Sequence, residues 1–433
     1  MNYQSRRTEL MQQIGQGVMI LVSPPEVIRS NDSHYDYRPS SDVVYLTGFT
    51  EPETIVVLAP GRPNPFTMFV RPRNAEREIW DGRRAGPEGA MEGYGADAAF
   101  NLEDFGAHLD LILRDAGDLY VNLGDDRAFD DQLLASIRRL SATRRSPDRA
   151  PQSIRRARPL LDRMRMRKSD EEIAQLERAC ALTASGHLLA MKATRPGMRE
   201  YQLRALIEGH FFEAGARDVA YGSIIATGAN ACILHYRENA SLMLDGQLVL
   251  VDAGAELDWY AGDITRTWPV GRTFTAPQRR VYQAVLDAQK AAVEDCQPGI
   301  SNRELQQRTI RRLTGSMVEL GLLKGDVDEL IEAREHLRYY MHGVGHYLGL
   351  DVHDVGVYFD AEDQGHALQE GYVLTIEPGL YIPADDERVP EEYRGIGVRI
   401  EDDVVITADG ARNLTSGVPK ELDEIEAIRA EYL

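Results

Sequence analysis

Residues 248–270, LVLVDAGAELDWYAGDITRTWPV, combine a strand-like aliphatic run with two carboxylates. Runs such as LVLV are typical of strands that are buried on both faces. Asp252 interrupts the run, and Asp263 follows eleven residues later beside an apolar segment. If the hairpin turn centres on Leu257 and Asp258, the two aspartates lie opposite each other, with Cβ atoms about 4.5–5.5 Å apart. Buried like charges repel and lose hydration, so a shared proton or a bound cation is expected between them.

The composition is that of an ordinary soluble globular protein. The 433 residues suffice for two or three domains, and 43% of them are hydrophobic. The net charge of −20 argues against broad binding to nucleic acid or anionic membranes, because both need basic surface. No secretory signal and no apolar run of about 18 residues is visible. Three widely spaced cysteines are typical of reduced thiols, so we expect a cytoplasmic protein.

The chain is predicted to contain two domains, at residues 1–165 and 166–433. The first is predicted to be α/β, with strand-like runs at 18–22 and 54–60 and Pro/Gly-rich loops between elements. Residues 138–168 are rich in arginine. We interpret this stretch as a solvated connector that pairs with acidic surface and contains the domain boundary.

The second domain shows an order of elements that occurs twice. Ser169 with Glu172 forms one capping-box pattern and Thr275 begins another, and each precedes a helical periodicity. A second helix follows in each case, the later one starting at residues 301–304, and strand-like segments then run to about Thr407. The fold class is therefore α/β (α+β), with a C-terminal domain of two related helix–helix–strand halves and a site between their sheets.

Four segments of this domain place charged or histidine side chains in apolar surroundings. The aspartate hairpin is one; the others are MHGVGHYLGLDVHD (341–354), VLTIEPGLYI (373–382) and GIGVRIEDDVVI (395–406). Four carboxylates interrupt the apolar strands: Asp252, Asp263, Glu377 and Glu401. Their charges sum to −4, which two divalent cations would balance. Carboxylates with imidazole suit Mn, Zn, Co or Fe(II), and an oxygen-rich set favours Mn. We therefore predict a two-metal site with ions about 3.5–4 Å apart. The glycine-rich HGVGH does not fit the helical HExxH zinc motif.

These motifs together resemble the pita-bread metallopeptidases, a superfamily that includes methionine aminopeptidases, prolidases and aminopeptidase P. The N-terminal segments NDSHYDYRPSSDVVYLTGFTEPE and EIWDGRRAGP are similar to the corresponding region of bacterial aminopeptidase P. The resemblance spans nearly the whole chain. It implies a C-terminal pita-bread domain and an aminopeptidase that releases the first residue of peptides with proline at the second position.

The resemblance also implies a metal centre and a mechanism. Two divalent ions, most often Mn, would be held by five ligands: Asp252, Asp263, His346, Glu377 and Glu401. A hydroxide bridging the ions would attack the first carbonyl of the substrate, whose free amine binds at the metal centre. Glu377 would also handle the proton of the attacking water.

Further roles follow from the resemblance alone. His353 would stabilise the tetrahedral intermediate, His235 and His342 would bind substrate near its proline, and Tyr381 and Arg399 would orient the ligands. Trp80 would contact substrate, either within its own subunit or across a subunit interface. Tyr221 would be a further substrate contact. The family often forms dimers or tetramers, so a homo-oligomer is expected.

We interpret Asp402 and Asp403 as loop or surface partners. Six other histidines are interpreted as structural or surface residues: His34, His108, His187, His210, His336 and His366.

Three alternatives remain at this stage. A prolidase restricted to Xaa-Pro dipeptides would share all five ligands. A creatinase-like hydrolase would keep the fold but lack the metal set. A non-catalytic peptide-binding module would keep the fold without activity.

Overall fold

The computed structural model describes residues 1–359 and 365–433, which divide into two compact units, Met1–Met164 and Arg165–Leu433. Within these residues, every helix is too short or too polar to cross a membrane. The three cysteines are free thiols.

The first unit is built on one six-stranded mixed sheet. The strands of the whole unit are β1 (Val18–Val22), β2 (Ile28–Ser30), β3 (Ser33–His34), β4 (Ile55–Leu58), β5 (Phe66–Val70), β6 (Ala98–Asn101), β7 (Asp118–Tyr120) and β8 (Ser153–Arg155). Its helices are α1 (Tyr3–Ile14), α2 (Ser41–Thr47), α3 (Ala75–Asp81), α4 (Gly86–Tyr94), α5 (Phe105–Leu113), α6 (Arg127–Leu140) and α7 (Arg158–Met166), the last two residues of which belong to the second unit.

The sheet order is β6-β5-β4-β1-β7-β8, and β2 and β3 form a separate hairpin. Both predicted strands, at 18–22 and 54–60, contribute fully buried residues to the centre of the sheet as β1 and β4. The arginine-rich stretch is not a simple connector, since it contains β8, which pairs in parallel with β7. Its arginines do pair with acidic surface, as in the contact of 3.0 Å between Arg155 Nε and Asp118 Oδ2.

The second unit contains the two predicted helix–helix–strand series. The first series comprises α8 (Asp170–Ala193), α9 (Glu200–Glu213), β9 (Asp218–Val219), β10 (Ile224–Thr227), β11 (Leu248–Ala253), β12 (Ala255–Leu257), β13 (Tyr260–Ala261) and β14 (Ile264–Pro269). The second comprises α10 (Ala276–Asp295), α11 (Asn302–Glu319), α12 (Val327–Glu332), β15 (Val373–Ile376), β16 (Gly379–Tyr381), β17 (Gly397–Arg399), β18 (Asp402–Thr407) and β19 (Gly410–Asn413), followed by α13 (Leu422–Tyr432).

Helix starts in this unit agree with the sequence patterns. Ser169 and Thr275 each close a reciprocal capping box, and the Ser301 side chain accepts a hydrogen bond from the Glu304 amide. The strands form small antiparallel sheets in the orders β10-β11-β14, β13-β12-β9 and β15-β18-β19, with β16 paired to β17. The predicted fold class, with an α/β first domain and a two-part second domain, is therefore confirmed.

The turn of the aspartate hairpin lies one residue later than predicted, which shifts the pairing of the strands by two residues. Leu257 pairs with Tyr260, so the turn consists of Asp258 and Trp259, which have φ of 49° and 72°. Positive φ at both turn residues is the geometry that matches the twist of a two-residue hairpin. As a result Asp252 lies opposite Thr265, and Asp263 falls in the break between β13 and β14. The two aspartates approach each other diagonally rather than as a direct pair.

Candidate metal centre

Four of the five predicted ligands lie at ends or interruptions of strands. Asp252 lies near the end of β11, Asp263 just before β14, Glu377 just after β15, and Glu401 between β17 and β18. His346 lies in a non-helical segment whose backbone pairs with β15, since the Thr375 amide donates to His346 O at 2.8 Å. This pairing, together with the bond from the Glu377 amide to Val344 O at 2.7 Å, brings the imidazole beside the Glu377 carboxylate.

Donor atoms of Asp263, His346 and Glu401 lie within 4.8 Å of one another. His346 Nε2 is 3.4 Å from Asp263 Oδ2 and 3.9 Å from Glu377 Oε1. On the other side of the ring, His346 Nδ1 is 3.0 Å from Tyr347 O and donates to it. This hydrogen bond leaves Nε2 facing the carboxylates, which is how proteins orient an imidazole toward a cation.

Burial makes the ionised carboxylates unfavourable in the absence of a cation. Burial raises the pKa of Glu377 to about 7. The repulsion of Asp263 and Asp252 adds to the effect of burial, and together they outweigh the attraction of His346 and Arg399. Burial and the neighbouring carboxylates raise the pKa of Glu401 well above its usual range, and burial also raises that of Asp263. The buried carboxylates repel one another, and a divalent cation would remove this repulsion. Oxygen ligands together with one imidazole suit cations of the Mn or Zn type.

A hydrogen-bonded chain leads away from Asp252. Arg399 Nη2 donates to Asp252 Oδ2 at 2.6 Å, and Arg399 Nη1 donates to the Tyr381 hydroxyl at 3.1 Å. The Tyr381 hydroxyl lies 2.8 Å from His342 Nε2, while His342 Nδ1 lies 2.8 Å from Gly343 O. The tautomer that satisfies both contacts carries its proton on Nδ1 and accepts from Tyr381. Burial lowers the pKa of His342 to about 4, so the ring is neutral near pH 7.

Tyr221 and Thr265 contact the carboxylates directly. The Tyr221 hydroxyl is 2.5 Å from Oδ1 of both Asp252 and Asp263, and its single proton can be donated to only one of them at a time. Thr265 was not singled out from the sequence. Its hydroxyl donates to Glu401 Oε2 at 2.6 Å and accepts from Arg399 Nε at 3.1 Å. The signal was present, because TRT is a polar run inside a strand that is buried at every position.

The site opens into a pocket of about 390 Å³ within the second unit. Ten of the predicted residues line it: Tyr221, His235, Asp252, Asp263, His342, His346, His353, Glu377, Arg399 and Glu401. Tyr381 is buried behind His342. The ring centroid of His353 is 4.2 Å from that of His346. Trp80 is outside this set, since it lies on α3 of the first unit with 84% of its surface exposed. The six histidines interpreted as structural or surface are also absent from the lining.

The interpretation of Asp402 and Asp403 as loop or surface residues is wrong. Both are fully buried in β18. Asp402 accepts from Arg266 Nη2 at 2.6 Å and from Lys420 Nζ at 2.5 Å, so it is neutralised in the interior. Asp403 accepts from the backbone amide of Asp263, one of the predicted ligands, at 2.9 Å. Aspartates are rarely buried unless they are paired, and the distant partners could not be identified from local sequence.

Comparison with known proteins shows the family of the chain. The model of metallopeptidase family M24 matches residues 174–408, and that of the aminopeptidase P N-terminal domain matches residues 3–120. The chain belongs to the M24 metallopeptidases. It is 45% identical over 429 residues to the Xaa-Pro aminopeptidase of Escherichia coli (strain K12), covering 98% of this chain and 97% of the relative. The Xaa-Pro aminopeptidase of Haemophilus influenzae is 43% identical, covering 98% of this chain and 96% of the relative.

Solved structures agree over the whole chain. The aminopeptidase PepP of Pseudomonas aeruginosa superposes with a TM-score of 0.96 at 44% identity, covering 100% of this chain and 98% of that chain. A zinc-substituted E. coli aminopeptidase P in complex with product superposes with a TM-score of 0.95 at the same identity and coverage. The resemblance inferred from the motifs, including its N-terminal part, is confirmed.

Proposed function

We propose that this protein is a metal-dependent aminopeptidase that releases the first residue of peptides with proline at the second position. The observation that carries the proposal is the cluster of four carboxylates and His346 lining one pocket. Relatives that match this chain from end to end are Xaa-Pro aminopeptidases. A creatinase-like hydrolase without metal and a non-catalytic module would have no need of four carboxylates and an imidazole gathered in one pocket.

The proposed ligands of two divalent ions, Mn in preference to Zn, Co or Fe, form one set: Asp252, Asp263, His346, Glu377 and Glu401. Such ions act as Lewis acids and lower the pKa of water. The surrounding residues hold the ligands in place. Arg399 and Thr265 together fix one oxygen of Asp252 and one of Glu401. This support is what ligand geometry requires, because an imidazole or carboxylate that can rotate loses affinity for the ion.

The substrate-side roles are assigned to residues that line the pocket. Glu377 lines the pocket and would be ionised beside bound cations, so it is proposed to accept a proton from water and to return it to the leaving amine. His353 is exposed to the pocket and is proposed to stabilise the oxyanion. His235 and His342 are proposed to contact substrate near its proline. Since both nitrogens of His342 are hydrogen-bonded, it would offer the face or carbon edge of its ring.

Two further parts of the proposal concern assembly and location. The exposed pair Ile79 and Trp80 on α3 supports a homo-oligomer, dimer or tetramer, in which a second copy covers this surface. Trp80 would then contact substrate from a neighbouring copy. Light scattering on the active enzyme tests this assembly, and a fully active monomer would refute it. The proposed location is the cytoplasm.

The decisive experiment is a mass-spectrometric digest with added Mn. An Xaa-Pro dipeptide is compared with an Xaa-Pro-Yaa-Zaa peptide and with a matched Xaa-Ala-Yaa-Zaa control. Release of Xaa only from the longer proline peptide, or from both proline peptides, supports the proposal. Cleavage of the dipeptide alone would make the protein a prolidase. No cleavage of any peptide by metal-loaded protein would leave only the binding module.

A further inference from the structure

Arg237 lines the same pocket as the four carboxylates and His346, and it has no role in the proposed chemistry. It lies two residues after His235, in the segment between the 3-10 helix Gly228–Cys232 and β11, and its side chain is exposed. Within residues 1–359 and 365–433, the guanidinium has no hydrogen-bond or ion-pair partner, and only the backbone carbonyl of Arg237 is engaged. Five N–H donors are therefore available to a molecule in the pocket.

The other arginine of the lining cannot fill this role. Arg399 is buried, and its donors are taken by Asp252, Tyr381 and Thr265. Among the described lining residues no lysine is present. Arg237 is thus the permanent positive charge of the described lining that remains free to meet an anionic group of a ligand.

A buried carboxylate holds the backbone of the segment that contains Arg237. Glu200 is completely buried and accepts four hydrogen bonds. Its Oε1 accepts from the Thr227 amide at 2.8 Å and Asn230 Nδ2 at 3.0 Å. Its Oε2 accepts from the Tyr236 hydroxyl and the Ser241 amide, both at 2.8 Å. These four bonds tie both ends of the segment to the start of α9.

Asn239, two residues after Arg237, also holds this segment in place. Its side chain accepts from the Ile225 amide at 2.7 Å and donates to Ser223 O at 2.9 Å and to Arg237 O at 3.4 Å. Asn239 itself has φ of 47°, a conformation in which asparagine is favoured. A side chain on a backbone that is fixed from both sides loses less conformational entropy on binding a ligand than one on a mobile loop.

We infer that Arg237 binds a carboxylate of the peptide substrate, on the side of the cleaved bond that carries the proline. The inference rests on the proposed function. The free amine of the substrate belongs at the carboxylate cluster, so the opposite charge belongs at the opposite end of the bound peptide. A guanidinium pairs with a carboxylate through two parallel hydrogen bonds. Either the C-terminal carboxylate of a short peptide or an Asp or Glu side chain supplies that chemistry.

The test compares peptides that differ only in this charge. Xaa-Pro, Xaa-Pro-Leu and Xaa-Pro-Leu-Ala are each prepared as free acid and carboxamide, and Xaa-Pro-Glu-Ala-amide is compared with Xaa-Pro-Gln-Ala-amide. The Mn-loaded protein should have a lower KM for the charged member of at least one pair, by roughly three- to tenfold. Arg237→Gln should remove that preference through KM, with kcat and metal content retained. The matched control Arg272→Gln, an exposed arginine outside the pocket lining, should retain it.

A binding measurement separates this inference from the proposed function. Calorimetric titration with Pro-Leu and with Pro-Leu-amide requires no turnover, and the acid should bind several times more tightly to the unaltered protein than to Arg237→Gln. If no peptide is cleaved, the proposed function fails while this comparison still tests Arg237. The pair that shows the preference identifies the source of the carboxylate. An equal acid-to-amide ratio in both proteins, for every pair and for the dipeptide products, would overturn the inference.

Discussion

Removal of metal by a chelator is expected to make the stability of the second unit depend steeply on pH. In the metal-free protein burial raises the pKa of Glu377 from 4.5 to about 7. Between these values the carboxyl is ionised in the unfolded chain but still protonated in the folded one. Stability contributed by the raised pKa is therefore complete below pH 4.5 and is lost as the pH rises through 7. Bound cations would favour the ionised carboxylate and abolish this loss.

The magnitude follows from the size of the shift. The difference between 4.5 and about 7 corresponds to about 3 kcal/mol of unfolding free energy. Asp263, whose pKa is also raised, changes stability in the same direction. Burial lowers the pKa of His346 but Asp263 and Glu377 raise it more, to about 9, so its contribution is present below 6.5 and lost as the pH rises through 9. For a unit of this size, about 3 kcal/mol moves the unfolding midpoint by roughly 6–12 °C.

The assay is thermal unfolding between pH 5 and 8.5, with chelator and with excess Mn. The metal-free midpoint should fall by several degrees more across this range than the midpoint with Mn. Glu377→Gln should flatten the metal-free dependence, while Glu370→Gln, which removes an exposed carboxylate of the same unit, should not. Parallel pH profiles with and without metal would refute the assignment of cations to this carboxylate cluster.

Three other substitutions are expected to have separable effects. Asp263→Asn should lose metal and nearly all activity, because it removes a charge from the ligand set; normal metal content by mass spectrometry and normal turnover would contradict the two-metal site. His353→Ala should retain metal but lose turnover, and loss of metal would instead place His353 among the ligands. Asp402→Ala should destabilise the protein by about 3–5 kcal/mol, since it leaves the buried Arg266 unpaired. Chemical unfolding measures this change, and Asp423→Ala, which alters an exposed side chain, should shift the free energy by less than about 1 kcal/mol.

Local patterns were sufficient to predict most elements near the site. Capping boxes at Ser169 and Thr275 depend on residues three positions apart, so the sequence contains both partners of each contact. The glycine-rich HGVGH was correctly predicted to be non-helical. The turn of the hairpin was misplaced by one residue, and the strand pairing by two, because the register depends on turn residues Asp258 and Trp259 adopting positive φ, for which the sequence carries no glycine signal.

The sequence by itself determined the types of side chain, their order, and the family to which the motifs belong. Carboxylates inside apolar strands are costly to bury, so their presence indicates a cation before any fold is known. Only the tertiary structure decided how these side chains meet. Thr265 reaches Glu401 across 136 positions of the chain, and Arg399 reaches Asp252 across 147. It also decided that Asp402 and Asp403 are buried and that the Arg237 guanidinium at the pocket has no partner among the described residues, because burial and pairing depend on neighbours that lie far away in sequence.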